Sequence, residues 1–141
     1  MPERAGHAVA GARDAADLYA GTDVPGEFRP LGEVLGCEQL AVTFIAVPPH
    51  SDFEQGTGHY HDVTEELYLV VRGTLTMRLG EEVRAVSAPA VVRVDARTPR
   101  SHRNEGDEPV EMFAISRRAG GDDATKIDDF WEASPLAEQR R

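Results

Sequence analysis

The chain of 141 residues has one cysteine, few aromatic residues and a shortage of positive charge. A single cysteine cannot close an internal disulfide, so a reducing, cytoplasmic setting is expected. That residue, Cys37, sits between Gly36 and Glu38 with no second cysteine nearby. It reads as inert packing and not as a nucleophile. Lys plus Arg number 15 against 25 Asp plus Glu, a formal net charge of −10. This balance argues against binding a nucleic-acid backbone or an anionic membrane surface. No apolar run approaches the roughly 18 residues of a membrane span. The opening Met-Pro-Glu-Arg-Ala-Gly-His carries no signal-peptide core. No internal repeat and no DNA-binding helix pair is visible.

What the chain does have is Gly and Pro spread between short apolar runs. Gln39 to Val47 is rich in β-branched and aromatic residues and stops at Pro48-Pro49. Glu65 to Arg72, Thr74 to Leu79, Val83 to Val86, Val91 to Val94, Arg100 to Asn104 and Val110 to Ser116 read as further strands. Many short strands at close spacing predict an all-β sandwich or barrel of one domain. Ala12 to Tyr19 and Asp128 to Ala133 are read as brief helices, the second carrying Phe130 and Trp131 as packing residues. Residues 1–11 are expected to fray. The predicted division is an extension over 1–30, a barrel over 31–117 and a tail over 118–141.

The chemistry concentrates in His59-Tyr60-His61-Asp62-Val63-Thr64-Glu65-Glu66. Residues i and i+2 of a strand share a face, so His59 and His61 aim at one point. A turn over Asp62–Thr64 brings Glu66 up beside them. Two imidazoles and a carboxylate suit a divalent transition metal with positions left open. The other reading is a hydrogen-bonded polar cluster without metal. Glu65 is the competing carboxylate, but its parity places it with Leu67, away from the histidines. Tyr68 shares the face of Glu66, either lining a pocket or filling the core. The opposite face, Leu67–Leu69–Val71, is also apolar and predicts a further packing partner.

The spacing His59, His61, Glu66, Gly73 resembles the first signature of the cupin superfamily. Phe53 stands where that signature opens with Gly, and Gly56 and Gly58 lie nearby. The second signature resembles Ala96 to Asn104 more loosely: Asn104 fits, Arg97 replaces Gly, and Arg100 stands where the last His ligand is usual. The resemblance spans residues 31–117. It implies a double-stranded β-helix (jelly-roll) barrel with short terminal segments, helical or extended. A homodimer made by packing sheets is also implied.

An in-barrel site for a small, anionic molecule follows. Its metal set is His59, His61 and Glu66, holding Fe, Mn, Ni or Zn. Arg100, which has no lone pair to donate, is expected to face the pocket and hold a carboxylate or phosphate. His102 shares its parity and is a candidate for substrate binding or acid–base catalysis. A bulge would make it a ligand instead. Tyr68 is the other candidate for binding or catalysis. Isomerisation, decarboxylation and dioxygenation fit this layout, and a non-catalytic sensor barrel is the alternative.

Overall fold

The computed structural model describes residues 5–118 and 121–131. Ten strands and one short helix follow in order: β1 Glu27–Pro30, α1 Gly32–Leu35, β2 Leu40–Val47, β3 Gly58–His61, β4 Glu66–Arg72, β5 Thr74–Leu79, β6 Glu82–Ser87, β7 Ala90–Val94, β8 Arg100–Arg103, β9 Val110–Arg117 and β10 Ala124–Ile127. They form two five-stranded antiparallel sheets, ordered β1-β2-β9-β4-β7 and β10-β3-β8-β5-β6. The all-β jelly-roll reading therefore holds. Two of these strands, β1 and β10, lie outside the 31–117 span. Among the described residues no helix is long and apolar enough to cross a membrane.

Period-two alternation builds the interior. Tyr68 and Val70 of β4, Leu75 and Met77 of β5, Val110 and Met112 of β9, and Ile45 and Val47 of β2 turn inward. Burying each large apolar side chain contributes about 1.5–3 kcal/mol. The outward face of β2 is covered too: Phe44 and Ala46 pack under Ala15 and Leu31. That double covering explains why Phe44 to Val47 are buried without alternation.

Ala12 to Tyr19 forms turns and not the expected helix. Its aspartates compete for the backbone. Asp17 Oδ1 accepts from the N–H groups of Tyr19 and Phe28 at 3.0 and 2.9 Å. Asp14 Oδ2 accepts from Gly11 N–H at 2.6 Å. Of the second expected helix, over 128–133, the described residues show a turn that passes into a 3-10 conformation at Trp131. Ala124–Ile127 is a strand pairing with β3, a turn follows over 128–130, and residues 132 and 133 lie outside the described residues.

Phe130 and Trp131 do pack on the barrel. They cover the outer face of the second sheet, where the Arg78 and Arg103 guanidiniums lie over their rings at 4.2 and 3.9 Å. Such stacking contributes about 0.5–2 kcal/mol each. Trp131 Nε1 donates to Ser101 Oγ at 2.6 Å, and that hydroxyl donates to Thr57 O at 2.7 Å. Arg78 Nη1 donates to the Phe130 carbonyl.

Two residues of the sequence signatures are structural. Asn104 is fully buried; its Nδ2 donates to Val47 O and Glu108 O, and its Oδ1 accepts from Gly106 N–H. Gly73 joins β4 to β5 at φ +78°. A Cβ there would strike the Pro109 carbonyl oxygen. Gly73→Ala is therefore expected to lower stability by roughly 2–4 kcal/mol, from positive-φ strain plus a backbone clash. Denaturant unfolding measures it; a loss under about 0.5 kcal/mol would contradict this account of the turn.

Candidate functional site

Strand β3 places both imidazoles on the inward face, with ring centroids 5.1 Å apart and planes at 89°. The turn after β3 delivers Glu66 as the first residue of β4. Glu66 Oε1 lies 4.0 Å from His59 Nε2 and 3.8 Å from His61 Nε2. The three side chains offer donor atoms that all lie within 4.8 Å of one another. Metal bonds of about 2.1 Å give a tetrahedral edge of roughly 3.4 Å, so each of the two Glu66–histidine edges would close on an ion by contracting roughly half an ångström.

Each histidine is backed by a carboxylate that the sequence reading did not single out. His61 Nδ1 lies 2.8 Å from Asp123 Oδ1. An ionised carboxylate only accepts, so Nδ1 carries the proton and Nε2 keeps its lone pair toward Glu66. Asp123 Oδ2 also accepts from Val63 and Thr64 N–H at 2.9 and 3.0 Å. The Val63 N–H first, then His61 and Thr64, hold its carboxyl well below the usual carboxylate range. His59 Nδ1 stands 3.5 Å from Glu54 Oε2. Glu54 is aimed inward by a turn in which Asp52 accepts from the N–H groups of Glu54 and Gly56.

Behind the donor set lies Tyr68, fully enclosed, whose hydroxyl donates to Glu66 Oε1 at 2.5 Å. Burial first, and the adjacent Glu66 carboxylate second, raise its pKa well above the ordinary value. It therefore stays a neutral donor that orients Glu66. His102 lines the same cavity, stacked on Phe53 with centroids 5.8 Å apart. Its Nε2 stands 3.1 Å from Glu54 Oε1. That approach is close enough for charge attraction but off the direction of a hydrogen bond. Glu54 Oε1 and His102 Nδ1 have no hydrogen-bond partner among the described residues. His102 stands outside the close donor group of His59, His61 and Glu66.

Arg100 pairs directly with His59 across β3 and β8 and is fully buried. Its long side chain runs to the turn before β8, where Nη2 donates to Asp95 O at 3.4 Å. It is not among the residues lining the cavity. Its Nε and Nη1 have no hydrogen-bond partner among the described residues.

The cavity in front of the donor set has a volume of about 570 Å³ and includes His59, His61, Glu66, Tyr68 and His102 in its lining. This size is usual for a small-molecule site. Another concavity, about 670 Å³, lies on the outside of the first sheet beside Leu40, Leu67 and Ile115. No histidine is among its described lining residues; the His59, His61 and Glu66 donors lie at the inner cavity.

The profile of the family described as Cupin domain matches residues 44–116. No curated protein matches the chain. Solved structures do. A cupin protein of Bacteroides fragilis is 17% identical, with 84% of this chain and 89% of that chain covered and a TM-score of 0.65. A Klebsiella pneumoniae protein with a double-stranded β-helix domain is 13% identical, with 85% and 96% covered and a TM-score of 0.67. A putative sugar phosphate isomerase of Acidithiobacillus ferrooxidans is 18% identical, with 74% and 72% covered and a TM-score of 0.62.

Burial lowers the His102 pKa below its usual 6.5, with Glu54 partly offsetting. A histidine held neutral by the fold takes up its proton more readily when unfolded. Its contribution to stability is therefore complete above about pH 6.5 and is lost as pH falls below that value toward the folded pKa. The unfolding free energy should decline from pH 7 to pH 5, and His102→Gln should flatten that decline. An unchanged slope in the variant would remove His102 as its source.

Proposed function

The chain belongs to the cupin family, and from that premise we propose that it is a metal-dependent enzyme of isomerase, decarboxylase or dioxygenase type, acting on a small molecule with an anionic oxygen head. The observation that carries this is the convergence of His59, His61 and Glu66 on one point, with a carboxylate behind each imidazole and a cavity in front. These three residues would hold a divalent ion of the Fe, Mn, Ni or Zn class. When bound, such an ion polarises a substrate oxygen or brings dioxygen to the site.

The remaining roles belong to the protein. Asp123 fixes the tautomer of His61, and Tyr68 orients Glu66 through its hydroxyl. His102 is the neutral base on the cavity wall, with Glu54 near enough to stabilise the imidazolium it forms. Arg100 places a buried positive charge opposite His59, and its field favours an anionic head over a cationic one. The same charge weakens cation binding, which favours a second reading, a barrel that binds a small molecule without catalysis.

Metal analysis of protein purified without chelators separates the two. His59→Ala and Glu66→Ala should each cost more metal affinity than the roughly 10–100-fold that loss of an outer partner such as Asp123 costs. Arg100→His should raise metal affinity, because residue 100 lies opposite His59 and shares its face. Wild-type protein free of metal, with no uptake on reconstitution, would leave the binding module.

We also propose a homodimer. On the outer side of the first sheet Val63, Val91, Leu40 and Val71 are 79, 59, 54 and 44% exposed, and Leu67 and Leu69 lie among them. An apolar patch of this kind is uncommon on a monomer. Sedimentation should show a dimer at micromolar concentration that Leu67→Asp weakens; a monomer at every concentration would refute it.

A further inference from the structure

The donor set accounts for part of the cavity lining, and another part is built from different material. Tyr19, Val24 and Phe28 reach it from the segment preceding β2, and Phe53 and Ile45 complete it. Three of the rings form a single aromatic cluster. Tyr19 meets Phe28 and Phe53 edge-on, with centroids 5.8 and 5.5 Å apart. Phe28 and Phe53 lie nearly parallel, at 13° and 6.0 Å. Tyr19, Val24 and Phe28 line the cavity and are only half-buried, so they have apolar surface to offer a ligand. Filling that surface with an apolar group would remove it from water.

The charges around the cavity narrow the ligand further. Glu54 and Glu66 contribute two carboxylates. Among the described lining residues Lys126 is the one Lys or Arg, and its ammonium stands 3.4 Å from Asp128 at the surface. Arg100 lies behind the wall, with its Nη2 turned to the Asp95 carbonyl. A phosphate dianion is ordinarily held by guanidinium forks, an ammonium or clustered backbone N–H groups. Among the described lining residues there is no guanidinium, and the one ammonium is that of Lys126.

Resting on the metal-site assignment above, we infer that the ligand carries no more than a single negative charge, on its oxygen head, and has a planar apolar body. Its oxygen head meets His59, His61 and Glu66, and its body lies against Tyr19, Phe28 and Phe53. A sugar phosphate, the substrate class suggested by the name of the Acidithiobacillus ferrooxidans relative, has the opposite character: a hydroxylated body and a dianionic end.

The test separates body from head. Metal-free protein is titrated with 2-naphthol, which is planar and does not chelate, and with glucose 6-phosphate. Binding of 2-naphthol at least tenfold tighter than glucose 6-phosphate is expected, weakened about fivefold or more by Phe28→Ala. Because Phe28 belongs to β1, Val24→Asn in the preceding loop serves as a second variant and should weaken 2-naphthol similarly. Zinc-loaded protein is then titrated with acetohydroxamate and benzohydroxamate, and the aryl compound should bind at least tenfold tighter. Failure of both hydroxamates alongside wall-dependent binding of 2-naphthol would remove the metal assignment and leave the apolar body standing. The inference is overturned if glucose 6-phosphate binds as tightly as 2-naphthol, if neither variant affects 2-naphthol, or if both hydroxamates bind and acetohydroxamate does so as tightly as benzohydroxamate.

Discussion

Titratable groups enclosed in an apolar barrel must be neutralised by one another or by a ligand, and the rest of the site follows from that constraint. Glu66 enters an interior otherwise built from Val70, Leu75, Met77 and Met112. A carboxylate taken from water without partners is costly. Here it receives the Tyr68 hydroxyl on one side and faces two imidazoles on the other. The imidazoles are in turn backed by Asp123 and Glu54. The arrangement is a chain of compensation running inward from the surface. It ends at a point where three lone-pair donors converge, and a cation there would complete the neutralisation.

The two halves of the cavity come from different parts of the chain. The polar half is carried by β3, β4 and β8, with β10 behind it. The aromatic wall is contributed largely by residues 19–28, which precede the region matched by the Cupin domain profile. A barrel shared by many proteins could thus keep one edge of convergent donors while residues ahead of the matched region shape the rest of the cavity. This division is one physical reason that fold and function separate.

Strand parity is what made half of the site legible. His59, His61, Glu66 and Tyr68 sit on regular strands, where a period of two assigns each side chain to a face, and the inward assignment of His102 follows by the same rule. Glu54 and Asp123 were not legible. Both lie outside named strands, where no period fixes direction. Glu54 is aimed by Asp52, through hydrogen bonds to its own backbone and to Gly56, and Asp123 by the position of β10. The four residues of β10 are too few to show a pattern, and the preceding Gly-Gly-Asp-Asp reads as the end of a domain. For Arg100, parity gave the face correctly as interior. The length of the side chain then decided where the charge went, and parity carries no information about that. Ala12 to Tyr19 failed as a helix because Asp14 and Asp17 offer the backbone other partners.

The strap formed by β10, Phe130 and Trp131 bears on the order in which the molecule matures. Synthesis proceeds from the N-terminus, so His59, His61 and Glu66 are all available while Asp123 and the two aromatic anchors are still unmade. An early barrel would have its donors but an unfixed His61 tautomer and an uncovered second sheet, since Arg78 and Arg103 would lack the rings they lie over. Competence to hold the proposed metal firmly would therefore wait on the segment that carries Asp123 and β10. The cofactor would be loaded onto a protein already closed, with its cavity shaped, and not onto a chain still choosing its fold.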